Sequence, residues 1–247
     1  MEEKLLFGKY LIKGKLGQGG MAIVYHAYDP TLKRDIAIKA LLPKFKKNVD
    51  VVKMFIREGQ IMAQLDDPHI VKVYENAKYN DFFFYVMEYI NGKTLKQLME
   101  RGMSFDENEV IFKEILRALS YIHEKKILHM DLKPSNIMIE NSGKIKITDF
   151  GIGVDIDKDI LKKDTLIGTI KYIAPEQIKG EKVGYHTDIY QLGIILYELY
   201  AGEAPFLGEN EEIVKAKTTE PPEPLSSRRH VVPEYISSVC MRMLRTD

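Results

Sequence analysis

The sequence is poor in cysteine and in long apolar runs and has no net charge, and each of these excludes something. A single cysteine, Cys240, stands among 247 residues, so no internal disulfide can form and a reducing compartment suits the chain. No run of about 18 apolar residues occurs, so no transmembrane helix is expected. The opening MEEKLLFGKY mixes both charges without a long apolar core and lacks the form of a secretory signal. Lys plus Arg and Asp plus Glu both number 36, so the formal net charge is zero. Bulk charge therefore offers no handle for nucleic acid or for a membrane surface. Internal repeats and low-complexity segments are missing too. What remains is 45% hydrophobic residues, over a length sufficient for one large core or two lobes. The expectation is a cytoplasmic globular protein, or the cytoplasmic domain of a longer one, with no nucleic-acid or membrane partner.

The chemistry is densest in residues 129–151, HMDLKPSNIMIENSGKIKITDFG. Two short apolar runs, NIMI and KIKI, flank the turn signal Asn141-Ser142-Gly143, which reads as a hairpin. A hairpin brings the loop before it and the loop after it to one end. Asp131, Lys133, Asn136 and Asp149 are therefore expected to converge. A carboxylate can accept a proton, and a carboxylate with an amide oxygen can hold Mg²⁺, a hard cation that keeps substrate phosphates in its shell. An ammonium beside them can neutralise a phosphoryl group in transfer. The set fits phosphoryl-transfer chemistry.

This stretch resembles the catalytic and magnesium loops of protein kinases, and Lys133 resembles the Ser/Thr-specific branch. One residue departs from the pattern, since Met130 stands where the family usually has Arg. The resemblance runs along the whole chain and is most like bacterial members. It implies an α+β, bilobal fold with a small antiparallel-sheet lobe over 1–90 and a larger, mostly helical lobe over 91–247. Asn91-Gly92 marks the change from strand-rich to helix-rich sequence. Family members usually continue past a C-terminal Arg that pairs with the Glu of APE. None is present, so the chain is expected to be cut short and Glu176 to lack that partner, with Lys171 or Arg245 as substitutes.

In the first half, apolar runs are separated by Gly17, Gly19 and Gly20 and then by Asp29-Pro30, which predicts antiparallel strands joined by a glycine-rich turn. Glycines let backbone N–H groups approach a polyphosphate. Strand–turn–strand is the kinase context, with Ala22 where a third Gly is frequent. By resemblance Leu16, Gly17, Gly19, Val24, Ala37 and Met138 belong to the ATP site. Lys39, in Ala37-Ile38-Lys39, would hold the phosphates and pair with Glu58, on a helix predicted over 50–65. Two further strands are expected over 70–90, with a turn at Asn80-Asp81. Met87 would guard the adenine pocket, while Glu88 and Ile90 would offer backbone groups to the adenine edge.

In the second half, a helix is predicted from 105 to about 126, with Ser104 or Asp106 as N-cap. Val110, Ile111, Ile115, Leu119 and Ile122 form its expected buried stripe. His129, in an apolar setting, is expected to pack rather than act as a base. Residues 152–173 read as a functional loop before Ala174-Pro175-Glu176. Thr165 is its phosphosite candidate, and Gly168-Thr169 resembles the peptide-docking segment, with Thr169 bonding toward Asp131 and Lys133. The run 187–200 reads as a buried helix whose Asp188 resembles the aspartate that clamps the catalytic loop. A last helix is expected from 233 to 245.

The implied activity is a Ser/Thr protein kinase using ATP and Mg²⁺ (or Mn²⁺). Asp131 would act as base, Lys133 and Thr169 would assist transfer, and Asn136 and Asp149 would be the metal ligands. A small-molecule phosphotransferase and a non-catalytic pseudokinase are the alternatives. The first should lack the loop from DFG to APE, and the second typically loses one of Lys39, Asp131 and Asp149. Met130 cannot bond a phosphorylated loop residue as Arg does. Control is therefore expected to act through the Glu58 helix, by a homodimer or an activating partner.

Overall fold

The computed structural model describes residues 5–151, 170–229 and 232–245. They form two compact units, 1–92 and 93–247. The first unit is a six-stranded sheet with one α-helix. Its strands are β1 (Leu5–Leu6), β2 (Tyr10–Gln18), β3 (Ala22–Asp29), β4 (Arg34–Leu41), β5 (Val73–Tyr79) and β6 (Phe82–Glu88), ordered β1-β2-β3-β4-β6-β5. Neighbouring strands are antiparallel. β4 pairs on both sides and is almost wholly buried, whereas edge strand β5 alternates half-buried and exposed positions. Alternation along β4 sends Ile36, Ile38 and Ala40 into a core with Tyr10, Ala27, Phe84 and Val86. It therefore turns Ala37 and Lys39 to the other face.

Helix α1 (Val49–Met62) packs on β5 and β6. It starts where the Asn48 side chain accepts the N–H groups of Asp50 and Val51. Phe55, Glu58, Gly59 and Met62 are its buried positions. Gly59 sets the approach, because a Cβ there would lie 2.6 Å from Asn76 Nδ2 and 3.1 Å from Tyr85 Cδ1.

The second unit is mostly helical. It carries β7 (Gly92–Thr94), α2 (Leu95–Glu100), α3 (Phe105–Glu124), β8 (Ile137–Glu140), β9 (Ile145–Ile147), α4 (Pro175–Lys179), α5 (Tyr185–Ala201), α6 (Asn210–Thr219), α7 (Leu225–Arg228) and α8 (Glu234–Met243). Ser104, not Asp106, caps α3, in a reciprocal capping box with Glu107. The buried stripe of α3 is Ile111, Phe112, Ile115, Ala118, Leu119 and Ile122. Val110 was expected in it but is 59% exposed. The contact that locks the start of α3 is polar: Asn108 Nδ2 donates to Leu199 O of α5 at 2.8 Å. β8 and β9 pair Ile137 with Ile147 and Ile139 with Ile145, and Gly143 turns the hairpin at φ 88°. α5 is buried along most of its length and ends at Gly202, φ 83°. The short α2, α4, α6 and α7 were not anticipated.

Candidate active site

The loop before the β8–β9 hairpin is positioned by α5. Asp188, fully buried on that helix, accepts the backbone N–H of His129 at 2.9 Å and of Met130 at 2.8 Å. His123 Nε2 lies 2.8 Å from the same carboxylate. Asp188 is not the cap of α5, since the N-cap is Gly184. One turn on, Gln191 accepts the Leu132 N–H at 2.7 Å and donates to Met130 O at 3.0 Å. Gln177 of α4 also donates to Met130 O, at 3.1 Å, and its own Oε1 accepts from Gln191 at 2.9 Å and from Ala174 N–H at 3.0 Å. Met130 sits at φ 68°, a backbone state that costs a non-glycine residue energy. The bonds on its N–H and C=O over-determine that state.

The loop thus held presents the chemistry. Lys133 Nζ donates to Asp131 Oδ2 at 2.6 Å. Asn136 Nδ2 donates to Asp131 O at 2.9 Å, to Asp131 Oδ2 at 3.1 Å and to Asp149 O at 3.2 Å. The structure thus brings Asp131, Lys133, Asn136 and Asp149 together. The amide of Asn136 has one orientation in this network, with Nδ2 committed to the loop and Oδ1 left as the acceptor end. Asp149 adopts φ 58°. Gly151 follows it because the loop presses there: an added Cβ would meet Asp131 Cβ at 2.6 Å. Gly151 N–H donates to His129 O at 2.8 Å.

His129 is fully buried and packs on Phe150 with ring centroids 4.6 Å apart and planes tilted by 33°. Its Nδ1 accepts the Asp131 N–H at 3.3 Å, which leaves Nε2–H to donate to Thr148 O at 3.2 Å. Burial lowers its pKa and keeps the ring neutral. It packs and orients the loop.

The donor set fits a hard cation. Among the described residues no three His, Cys, Asp or Glu side chains gather to form a cage. A cation that completes its shell with phosphate oxygens needs only one or two carboxylates and an amide oxygen. Asn136 Oδ1 and the Asp149 carboxylate are that chemistry.

In the first unit, Lys39 Nζ donates to Glu58 Oε1 at 2.7 Å, and both side chains are buried. Tyr85, fully buried on β6, donates its hydroxyl to the same oxygen at 3.2 Å. Val24 pairs with Lys39 across β3 and β4, and Gly17 pairs with Val24 across β2 and β3. Gly19 N–H closes the turn on Ala22 O at 2.8 Å. Leu16 is exposed, Val24 half-buried and Ala37 buried. Ile90 and Met87 are buried, while Glu88 at the end of β6 and Met138 on β8 are half-buried.

Thr169, Thr165 and Gly168 lie outside the described residues. Glu176 does not lack partners: Thr187 Oγ1 donates to it at 2.6 Å and His186 Nε2 lies 3.4 Å away. Lys171, expected as a substitute partner, is not one of them, since its ammonium pairs with Glu198. Sequence reasoning missed Tyr85, Gln177 and Gln191. Gln191 left a signal, as a long polar side chain inside the otherwise apolar run of α5.

The protein kinase domain family matches residues 10–247. The chain is 35% identical over 248 residues to the serine/threonine-protein kinase PrkC of Bacillus subtilis, covering 99% of this chain and 38% of that relative. It is 34% identical over 249 residues to the probable serine/threonine-protein kinase PknB of Lactococcus lactis, covering 99% of this chain and 40% of that relative. The chain therefore spans well under half the length of these curated relatives. Among solved structures, the PknI kinase domain of Mycobacterium tuberculosis matches with a TM-score of 0.77 and 26% identity, over 100% of this chain and 92% of that chain.

Proposed function

The chain belongs to the protein kinase domain family, and from that membership and the site geometry we propose that it is an ATP-dependent Ser/Thr protein kinase that phosphorylates protein hydroxyls. The observation that carries the reading is the cluster in which Lys133 and Asn136 both bond Asp131 and Asn136 also bonds the main chain of Asp149. Residues 1–90 would bind the nucleotide and residues 91–247 would supply the catalytic loop and the protein-docking segment.

Asp131 orients the substrate hydroxyl and accepts its proton. The ammonium of Lys133, already on Asp131 Oδ2, offsets negative charge on the phosphoryl in transfer. Asn136 and Asp149 would hold Mg²⁺ or Mn²⁺, which would supply positive charge to offset the charge that develops on the phosphoryl group. Lys39, fixed by Glu58 and Tyr85, positions the phosphates of ATP. Leu16, Gly17, Gly19, Val24 and Ala37 of the first unit would line the nucleotide, and Glu88 and Ile90 would meet the adenine edge through their backbone. Thr169 would assist at Asp131. Positioning and charge stabilisation do most of this work, as phosphoryl transfer asks little covalent chemistry of the protein.

Because Met130 cannot donate to a phosphate, control is assigned to α1, set by a second copy of the chain or an activating partner. The test of substrate class is transfer from radiolabelled ATP to a mixed protein substrate, to choline and to an aminoglycoside. Acid hydrolysis of the labelled protein should yield phosphoserine or phosphothreonine. Label on choline or the aminoglycoside alone would place the chain among small-molecule phosphotransferases.

A further inference from the structure

Lys217 of α6 is 1% exposed. Its ammonium donates to Ile170 O at 3.1 Å, Lys171 O at 2.8 Å and Ile173 O at 2.8 Å. Nζ also lies 5.7 Å from the centre of the Tyr190 ring on α5. Among the described residues no carboxylate pairs with it. A buried ammonium is costly, with an effective penalty of several kcal/mol per ion. An apolar side chain of similar length would fill the volume without that penalty. What an apolar side chain cannot do is satisfy three carbonyls.

Those carbonyls belong to one segment, residues 170–173, immediately before Ala174-Pro175-Glu176. The segment forms neither helix nor strand, so its backbone has no ladder of its own. Its side chains are fastened on a different element: Lys171 and Tyr172 both bond Glu198 of α5. The carbonyls go to α6 and the side chains to α5. The next residue, Ala174, donates to Gln177, which in turn bonds Met130 O of the catalytic loop. A continuous chain of hydrogen bonds therefore runs from Lys217 through the segment to the loop that carries Asp131.

We propose that Lys217 is the positioning residue of the protein-docking segment, fixing residues 170–173 in the shape that receives a protein substrate. The proposal rests on the kinase reading, in which the peptide-docking Gly168-Thr169 stand directly before this segment in the sequence. Burial pushes the Lys217 ammonium down to about 7, and the three carbonyl oxygens give each of its N–H groups an acceptor.

The test compares wild type, Lys217→Met and Lys217→Arg. The probe is a degenerate peptide mixture carrying a central serine or threonine, with ATP varied in a second series. Lys217→Met should raise the KM for the peptide mixture fivefold or more while the KM for ATP stays within twofold. Lys217→Arg, which keeps charge and donors, should recover most of the loss. An unchanged peptide KM in Lys217→Met, or peptide and ATP KM values rising in step, would overturn the proposal. If Lys217→Met does not fold, Lys217→Gln carries the same two measurements. If wild type transfers nothing to the mixture, the kinase reading is what fails. Amide exchange over 170–177 then decides the role of Lys217: tenfold faster exchange in the variant supports it, and equal rates overturn it.

Discussion

Asp188 accepts the backbone N–H of Met130 at 2.8 Å, so Met130 is held by its main chain rather than by its side chain. The same carboxylate takes the N–H of His129 and faces His123. Removing it strands buried donors. Hydrogen bonds to charged groups contribute about 1.5–3 kcal/mol each. Asp188→Ala should therefore lower stability by about 3–5 kcal/mol and abolish transfer. Asp188→Asn, which keeps one acceptor, should fall between. Urea unfolding checks both, and wild-type stability in Asp188→Ala would show that the clamp is not needed.

With Met130 fixed by its backbone, the loop needs no phosphorylated partner to keep its shape. Thr165→Ala should therefore retain activity to within tenfold, about 1.4 kcal/mol of transition-state stabilisation. Rates of wild type, Thr165→Ala and Met130→Arg are the comparison. A larger drop in Thr165→Ala would mean that a basic residue elsewhere reads the phosphate.

His129 sets a pH dependence whose sign follows from its burial. The folded ring resists protonation, while the unfolded one titrates near 6.5. Below about 6.5 the unfolded chain binds more protons, so stability falls as pH falls, by up to about 1.4 kcal/mol per pH unit. His129→Phe keeps an aromatic ring against Phe150 and should flatten that slope. Denaturant midpoints between pH 7.5 and 5 for the two proteins should diverge on the acid side. Parallel curves would mean that other groups carry the acid sensitivity.

Gly59 lets α1 approach β5 and β6. Gly59→Ala places a methyl 2.6 Å from Asn76 Nδ2 and 3.1 Å from Tyr85 Cδ1. Overpacking of this kind costs about 1–3 kcal/mol. Asn76 would have to release Ile56 O, to which it donates at 2.9 Å. The displaced helix carries Glu58 away from Lys39, so activity should fall further than stability does. Adding Asn76→Ser should recover part of both. No recovery in the double variant would locate the strain at Tyr85.

Much of this was legible in the chain itself, for reasons that are local. Asn141-Ser142-Gly143 between two apolar runs is a turn whose chemistry needs no tertiary context, and the hairpin it makes brings Asp131 and Asp149 to one end. The Lys39–Glu58 pair and Asp188 came through resemblance, and the structure gives each its partners. Tyr85 and Lys217 were invisible because each lies in ordinary surroundings in sequence and gains its partner only from an element far along the chain. Val110 was misplaced because the first turn of α3 is held by Asn108 and the Ser104 cap, so the apolar face starts at Ile111. Helices as short as α4 and α7 show no period to read.

The most direct test is autophosphorylation with radiolabelled ATP and Mg²⁺, comparing wild type with Asp149→Ala and Asp131→Asn. Both variants should lose transfer, by about 10²–10⁴-fold for the loss of the base at Asp131. Asp131→Asn should still bind ATP, because that carboxylate acts on the hydroxyl. Label on wild type at serine or threonine that disappears in both variants is the result predicted here. Label of equal intensity in Asp149→Ala, or in Asp131→Asn, would contradict the mechanism.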